Sequence, residues 1–142
     1  MGVVLGLDAK LKYKAGGQAV GGDYTELTTA RDVTLNLEKG EADVSSRGGG
    51  GWRATAAALK DASLEFDLIW DSGDAGFAAV KDAWFNGTLI AFQVLDADSG
   101  EGLQADFEII SVSRSEPLEE GLSVSVTAKV AYSATAPSWI GA

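Results

Sequence analysis

Two residue types that carry much of enzyme chemistry are missing from this chain. It contains no cysteine and no histidine among its 142 residues. Disulfide bonds, zinc sites built from these residues, and nucleophilic catalysis by serine or cysteine with histidine are therefore excluded. A histidine general base is excluded too, so only lysine and carboxylate groups remain for an enzyme. We expect no catalytic site, no metal and no cofactor.

Positive charge and long apolar runs are also scarce. The chain has 11 lysines and arginines against 21 aspartates and glutamates, a formal net charge of −10. This acidity repels nucleic acid phosphates at long range. No apolar run approaches the roughly 20 residues of a membrane helix, and the first residues lack the basic start of a signal peptide. We expect one domain over residues 1–142 and no membrane contact.

Alternation of apolar and polar residues predicts that most of the chain forms β-strands. A change of phase at Ile109-Ile110 predicts a β-bulge, and Lys39-Gly40 predicts a tight turn that returns the chain through Ala42 and Val44. Glycine-rich or unpatterned segments predict flexible loops near residues 15–30 and 46–54 and a C-terminal arm over 133–142. The predicted strands cover residues 5–13, 33–38, 64–70, 88–95, 103–114 and 122–132.

One segment, between Asp71 and Gly87, has helical periodicity. Phe77, Val80 and Trp84 recur at the spacing of one helix face, and Asn86-Gly87 supplies a helix end. The prediction is a mostly-β domain with a single amphipathic helix whose apolar stripe, including Trp84, packs on a sheet. Side chains able to cap the start of this helix are those of Asp71, Ser72 and Asp74.

Four consecutive glycines, Gly48–Gly51, form the most unusual motif. A phosphate-binding loop needs Gly-Lys-Ser/Thr at the start of a helix, whereas Trp52-Arg53 follows here. The pattern favours a mobile surface loop over a nucleotide site.

Three weaker site patterns remain. The segment 96–102 is similar to the start of a calcium loop, but its twelfth position is Phe107, so a hairpin turn is favoured. Trp52 and Trp139 lie beside irregular segments, which suits burial at a partner surface or stacking against a sugar. Strand carboxylates could form a glycosidase pair, although solvated strand faces commonly carry such charges; they are Asp61, Glu65, Asp67 and Glu108.

A longer pattern is similar to a known family. The pattern begins with Asp43-Val44-Ser45-Ser46-Arg47, the glycines and Gly51-Trp52-Arg53. It continues with Leu59-Lys60-Asp61-Ala62-Ser63-Leu64-Glu65-Phe66. A helix before Phe85-Asn86-Gly87 and the strand Ile90-Ala91-Phe92-Gln93-Val94 follow. This order resembles the major tail tube proteins of long, non-contractile-tailed bacteriophages and of gene transfer agents, over nearly the whole chain.

The resemblance implies a small β-sandwich or barrel with one flanking helix, related to the type VI secretion tube fold. It implies that six copies form a ring and that rings stack into a hollow tube, with duplex DNA as transient cargo. The implied partners are the protein itself and the tape measure, tail terminator and baseplate proteins. The implied location is the virion tail, after assembly in the host cytoplasm.

The resemblance also gives the candidate residues a use. The glycine loop, the N-terminal residues and the C-terminal tail become arms that order when rings stack, and carboxylates that line a lumen repel DNA phosphate. The candidates for inter-subunit contact are Arg47, Gly48, Gly49, Gly50, Gly51, Trp52, Arg53, Trp139 and Ile140, and the candidates for the lumen are Glu65, Asp67, Asp106 and Glu108.

Two alternatives stay open at this point. A carbohydrate-binding β-sandwich would use Trp52 and Trp139 as stacking platforms. A tube protein of a contractile or secretion apparatus would share the fold but would need a sheath around it.

Overall fold

The computed structural model describes residues 9–71, 73–97, 100–116, 118 and 121–141. Residues 5–8 of the first predicted strand, the candidate cap Ser72 and residues 98–99 of the calcium-like segment lie outside the described residues. Within them, the elements are β1 Lys10–Ala15, β2 Thr25–Glu26, β3 Ala30–Asp43, β4 Thr55–Ile69, α1 Ala75–Asn86, β5 Ile90–Leu95, β6 Gly102–Ser115, β7 Ser123–Val130 and β8 Ser138–Ile140.

All the strands belong to one antiparallel sheet. Its order is β2-β1-β5-β6-β7-β4-β3, and β8 pairs with β6. Val130 of β7 lies opposite Phe107, and Ser138 of β8 lies opposite Gln104, so β7 and β8 follow each other along the same side of β6. Residues 131–137 loop out between them. Residues 138–140 are therefore a strand of the sheet, whereas the sequence predicts an arm there.

The sheet is strongly curled. Phe66 on β4 and Phe92 on β5 are separated by β6 and β7 in the sheet order. In a flat sheet, three strand spacings would place their backbones about 14 Å apart. Their ring centroids are only 5.6 Å apart, in an edge-to-face contact. The sheet therefore wraps around its core as a half-barrel, which confirms the predicted mostly-β, barrel-like fold with one flanking helix.

Helix α1 packs on the concave face of the sheet. It begins and ends at residues that the sequence predicts as its caps. The Asp74 carboxylate accepts a hydrogen bond from the backbone N–H of Phe77, at 3.1 Å. At the other end, Gly87 has a φ of 64°, the left-handed conformation that suits a C-cap glycine. Asp74 and Gly87 are thus confirmed as the helix caps.

The predicted position of Trp84 in the core is wrong. The buried helix residues are Gly76, Phe77, Val80 and Ala83, whereas Trp84 is 49% exposed. The buried face is centred on Val80. Trp84 lies in the last turn of the helix, where its ring packs against the exposed Phe85 instead of entering the core.

The predicted turn at Lys39-Gly40 is also wrong. Strand β3 continues through Gly40, and its partner is β4. Lys39 lies opposite Lys60 and Glu41 lies opposite Ala57, so one residue on β3 faces two on β4. This is a β-bulge, and a glycine fits it because a Cβ at position 40 would lie 3.2 Å from the Cβ of Ala58. The chain reverses instead over residues 44–54.

The predicted bulge in β6 is confirmed. Ile109 lies opposite Ala128 and Ser111 lies opposite Thr127, so Ile110 is the extra residue. The bulge reverses the alternation of side chains along the strand. Arg114 therefore shares the face of Val124 and lies 4.9 Å from the ring centre of Trp70.

Candidate assembly interface

The hairpin of β3 and β4 extends beyond the rest of the sheet as an arm, here residues 37–62. Strand β4 pairs with β7 from Ser63 onward, whereas β3 is the only described strand that pairs with residues 55–62. Every residue of the arm except Ala56 and Ala62 is exposed. A two-stranded hairpin is marginally stable by itself in water, so an arm of this kind is suited to contact with another molecule.

The tip of the arm, residues 44–54, has a defined turn. The Asp43 carboxylate accepts a hydrogen bond from the backbone N–H of Ser45 at 2.9 Å, and the Ser45 hydroxyl accepts one from the N–H of Ala54 at 2.7 Å. The bonds to Ser45 lower the pKa of Asp43 below its ordinary value. Gly50 and Gly51 have φ values of 67° and 86°, which glycine adopts without a steric penalty.

The tip brings together seven of the nine predicted contact residues. Trp52 is 82% exposed. It lies in a shallow groove of about 560 Å³ with Arg47, Gly51 and Arg53. An exposed indole between two arginines is a composition typical of the energetic centre of protein interfaces.

Trp139 and Ile140, the other two predicted contact residues, lie elsewhere. They belong to β8, where Trp139 is opposite Leu103. The Trp139 indole N–H donates to the Glu101 carboxylate, and half of the side chain is exposed. Trp52 and Trp139 line different grooves, so they do not form one stacking platform for a sugar.

The space between the arm and β8 forms a larger groove of about 930 Å³, here called the arm groove. Apolar side chains from five strands contribute to the lining of this groove. The sequence gives no direct sign of the groove, because these side chains are distant from one another in the chain. The lining residues are Leu37, Glu38, Lys39, Lys60, Asp61, Ala62, Leu103, Val130, Ala136, Pro137, Ser138 and Trp139.

Three of the four acidic lumen candidates share the polar face of the sheet. Glu65 lies opposite Thr127, and Glu108 lies opposite Lys129. Asp67 accepts a hydrogen bond of 2.8 Å from the Ser125 hydroxyl on the neighbouring strand. Glu65 is exposed, while Asp67 and Glu108 are half-buried. This face lies opposite the core, so its acids face away from the helix.

Asp106 does not belong with these three acids, and its predicted place on the lumen surface is wrong. The residue is 2% exposed. One carboxylate oxygen accepts a hydrogen bond of 2.6 Å from the backbone N–H of Gln18, and the other accepts one from the Ser133 hydroxyl. The loops on either side, residues 16–24 and 131–137, cover it. Asp106 therefore holds two loops on the sheet, an arrangement called here the Asp106 clamp.

Tyr24 lies beside the clamp. Its hydroxyl oxygen is buried and has no hydrogen-bond partner among the described residues. Burial raises the pKa of Tyr24, and the negative charge of Asp106 raises it further.

A second apolar surface lies at the end of α1. Trp84 and Phe85 pack edge to face with ring centroids 5.1 Å apart. Phe85 is 72% exposed. The sequence offers one signal for this pair, because Phe85 falls outside the apolar stripe of the helix.

The remaining predicted chemistry has structural explanations. The Asp96 carboxylate accepts a hydrogen bond of 2.8 Å from the N–H of Glu101, which is the use expected in a hairpin turn. Among the described residues, no cluster of three or more metal-ligating side chains occurs. No helix in the described part of the chain is long and apolar enough to span a membrane.

The sequence matches the phage tail tube protein family over residues 5–135. The chain belongs to this family. The predicted resemblance is thus confirmed, and the family is one of structural virion proteins. Comparison with the sequences of curated proteins gives no match.

Solved tail structures share the fold of this tail tube protein. The tail of an empty gene transfer agent particle, refined with C6 symmetry, has a TM-score of 0.76 at 22% identity, covering 96% of this chain and 98% of that chain. A structure of the virion of a native gene transfer agent particle has a TM-score of 0.72 at 20% identity, covering 96% of this chain and 98% of that chain. The SPP1 tail tube has a TM-score of 0.71 at 22% identity, covering 90% of this chain and 76% of that chain.

Proposed function

We propose that six copies of this chain close into a ring and that rings stack into a hollow tail tube that conducts duplex DNA. The observation that carries the proposal is the open sheet. Among the described strands, β3 is paired on one side only along Ala30–Asp43, and at the other edge β2 covers only two residues of β1. Open edges pair with other strands, and contact between two different edges of identical copies can close a ring.

The related gene transfer agent tail supports the number six, because it was refined with C6 symmetry. Electron microscopy of the purified protein over a concentration series, with light scattering of the same samples, tests the assembly. Rings with six-fold symmetry or hollow tubes are expected. Rings of another order would contradict the proposal. If the tube belonged to a contractile apparatus, intact particles would show a sheath around it.

The tip of the arm acts in ring stacking in this proposal. Deleting Gly48–Gly51 removes the turn that presents Trp52 but leaves the buried core untouched. The variant should fold and stack poorly. A matched control replaces Gly48 and Gly49 by serine, because both have open surroundings and neither has a left-handed φ. Normal tubes from the deletion variant would remove the tip from the stacking interface.

The polar face of the sheet lines the lumen in this proposal. Glu65, Asp67 and Glu108 would then repel the phosphates of passing DNA. Replacing all three with lysine should slow genome ejection from assembled particles. The control places the same charge reversal at Asp82, which is exposed on the helix. Unchanged ejection from the triple variant would refute this placement of the polar face.

The tube has further partners in this proposal. Its ends meet the tail terminator and baseplate proteins, and its lumen holds the tape measure protein before DNA passes. Assembly takes place in the host cytoplasm. Each contact is testable by co-purification with tubes formed by the wild-type chain.

A further inference from the structure

The end of helix α1 carries a chemically reactive pair of residues, Asn86-Gly87. Asparagine is a thermolabile residue, because the carbon of its side-chain amide is open to attack by the backbone nitrogen of the next residue. Glycine in that next position leaves the nitrogen unhindered and gives the backbone the freedom to approach. The only other asparagine in the chain is Asn36, which precedes Leu37.

Both residues of the pair are open to solvent. Asn86 and Gly87 are exposed, and a Cβ added at position 87 would meet no atom within 4 Å. The Asn86 side chain makes no hydrogen bond to another described residue. Water therefore reaches both reacting groups, and no contact with a described side chain restrains the amide.

The closed helix holds the two reacting groups apart. The Gly87 N–H donates to the Ala83 carbonyl oxygen, and the Thr88 N–H donates to the same oxygen at 3.2 Å. Helix side chains also point back toward the helix N-terminus, so the Asn86 side chain is directed away from the nitrogen that follows it. Reaction therefore requires the last turn to unwind and to release both hydrogen bonds.

The last turn can unwind without opening the core. Residues 84–88 are all exposed, whereas Ala83 before them and Ile90 after them are buried. Frayed ends of this kind open at a small part of the free energy of global unfolding. The opening that the reaction needs is therefore confined to one exposed turn.

We propose that Asn86 is a site of spontaneous deamidation and that unwinding of the last helix turn sets its rate. The Gly87 nitrogen loses its proton to the solvent and bonds to Cγ of Asn86, and the Cγ–Nδ2 bond breaks as ammonia leaves with a proton. Water then opens the cyclic imide at either carbonyl and gives aspartate or isoaspartate. One water is consumed and one ammonia released, so the reaction needs no oxidant and no cofactor. It needs only this chain and is independent of the proposed tube.

The product changes the helix end in two ways. A new carboxylate at position 86 lies one turn from Asp82 and at the negative end of the helix dipole, and both surroundings disfavour it. Isoaspartate also adds a methylene group to the backbone, which displaces Gly87 from its bond to Ala83. Both products therefore loosen the turn that carries the exposed aromatic pair.

Peptide mass spectrometry of the full chain measures the reaction after incubation in mildly alkaline buffer made with heavy-oxygen water. Conversion at Asn86 should replace the amide by an acid that carries one heavy oxygen. Asn36, which is half-buried in β3, should stay intact over the same period. Asn86→Gln should abolish conversion at this position, because its longer side chain closes the ring far less readily. Conversion of Asn36 as fast as that of Asn86 would overturn the assignment.

A synthetic peptide of residues 82–90 with blocked ends gives the rate without a helix, because so short a segment is not helical in water. The full chain should react about 5- to 150-fold more slowly than the peptide, since two net hydrogen bonds must break first. Asp82→Ala should strengthen the helix end by removing a negative charge from its last turn. It should slow the full chain about threefold and leave the peptide that carries the same substitution unchanged.

Val124→Ala is the matched control for global unfolding. It removes buried volume on β7 and lowers the stability of the whole fold, so the rate at Asn86 should equal that of the wild type only if the opening is local. A faster rate in this variant would assign the reaction to global unfolding and overturn the proposal. A full chain that reacts as fast as the peptide, or more than about 150-fold more slowly, would overturn it as well.

Discussion

Replacing Asp106 with alanine should destabilise the fold far more than removing any acid of the polar face. The carboxylate is buried and accepts hydrogen bonds from the Gln18 N–H and the Ser133 hydroxyl. The Ser133 oxygen in turn accepts a bond of 3.2 Å from the N–H of Thr135. Alanine removes the acceptor and leaves two donors beneath the loops.

The magnitude follows from these two bonds. Hydrogen bonds to a charged group contribute about 1.5–3 kcal/mol each, so two bonds correspond to about 3–6 kcal/mol. Removing the carboxylate also removes its desolvation penalty, which offsets part of that loss. We expect Asp106→Ala to lower the free energy of unfolding by about 2–4 kcal/mol. Asp106→Asn should lose about 1 kcal/mol or less, because its amide can accept from Gln18 and donate to Ser133.

Urea denaturation followed by tryptophan fluorescence measures the difference. With a slope of about 2 kcal/mol per molar urea, the alanine variant should lower the midpoint by about 1–2 M. The control is Glu65→Ala, on the exposed part of the same sheet face. Its free energy of unfolding should stay within about 0.5 kcal/mol of the wild-type value. Hydrogen exchange should also become faster at the Gln18 amide. An alanine variant as stable as the wild type would refute the clamp, and equal losses from alanine and asparagine would assign the effect to charge alone.

Three further predictions concern the backbone and pH. Gly102→Ala should lower the free energy of unfolding by about 3 kcal/mol or more, measured by thermal unfolding, because a Cβ there would lie 1.6 Å from the Val94 carbonyl oxygen. In the control variant Gly21→Ala, the new Cβ meets no atom within 4 Å. Equal stability of the two variants would refute the close approach. Asp74→Ala should cost about 1 kcal/mol by loss of the helix N-cap, measured by urea denaturation, whereas an unchanged midpoint would show that the cap contributes nothing. Burial and the charge of Asp74 raise the pKa of Tyr13, so the stability that the neutral phenol contributes is complete below about pH 10 and is lost as pH rises through the raised pKa. Tyr13→Phe should therefore flatten the decline of unfolding temperature above pH 10, and an identical alkaline decline would contradict this assignment.

Local chemistry in the sequence is sufficient to predict much of the fold. Asp74 and Gly87 bound the helix because capping depends on residues within one turn of each helix end. The bulge at Ile110 is visible because it reverses the alternation of its own strand. The family is recognisable from the residues around Gly51-Trp52-Arg53, which follow one another in the chain.

Other features depend on pairing between strands that are far apart in the chain, and the sequence did not predict them. Gly40 has the composition of a turn, but β4 supplies a partner strand that carries β3 through it. Asp106 alternates with core residues as Glu108 does, yet two distant loops cover only Asp106. The arm groove exists because residues far apart in sequence meet at the gap between β4 and β8. Alternation shows which side of a strand a residue occupies, but burial depends on what packs against that side, and only the tertiary structure determines this.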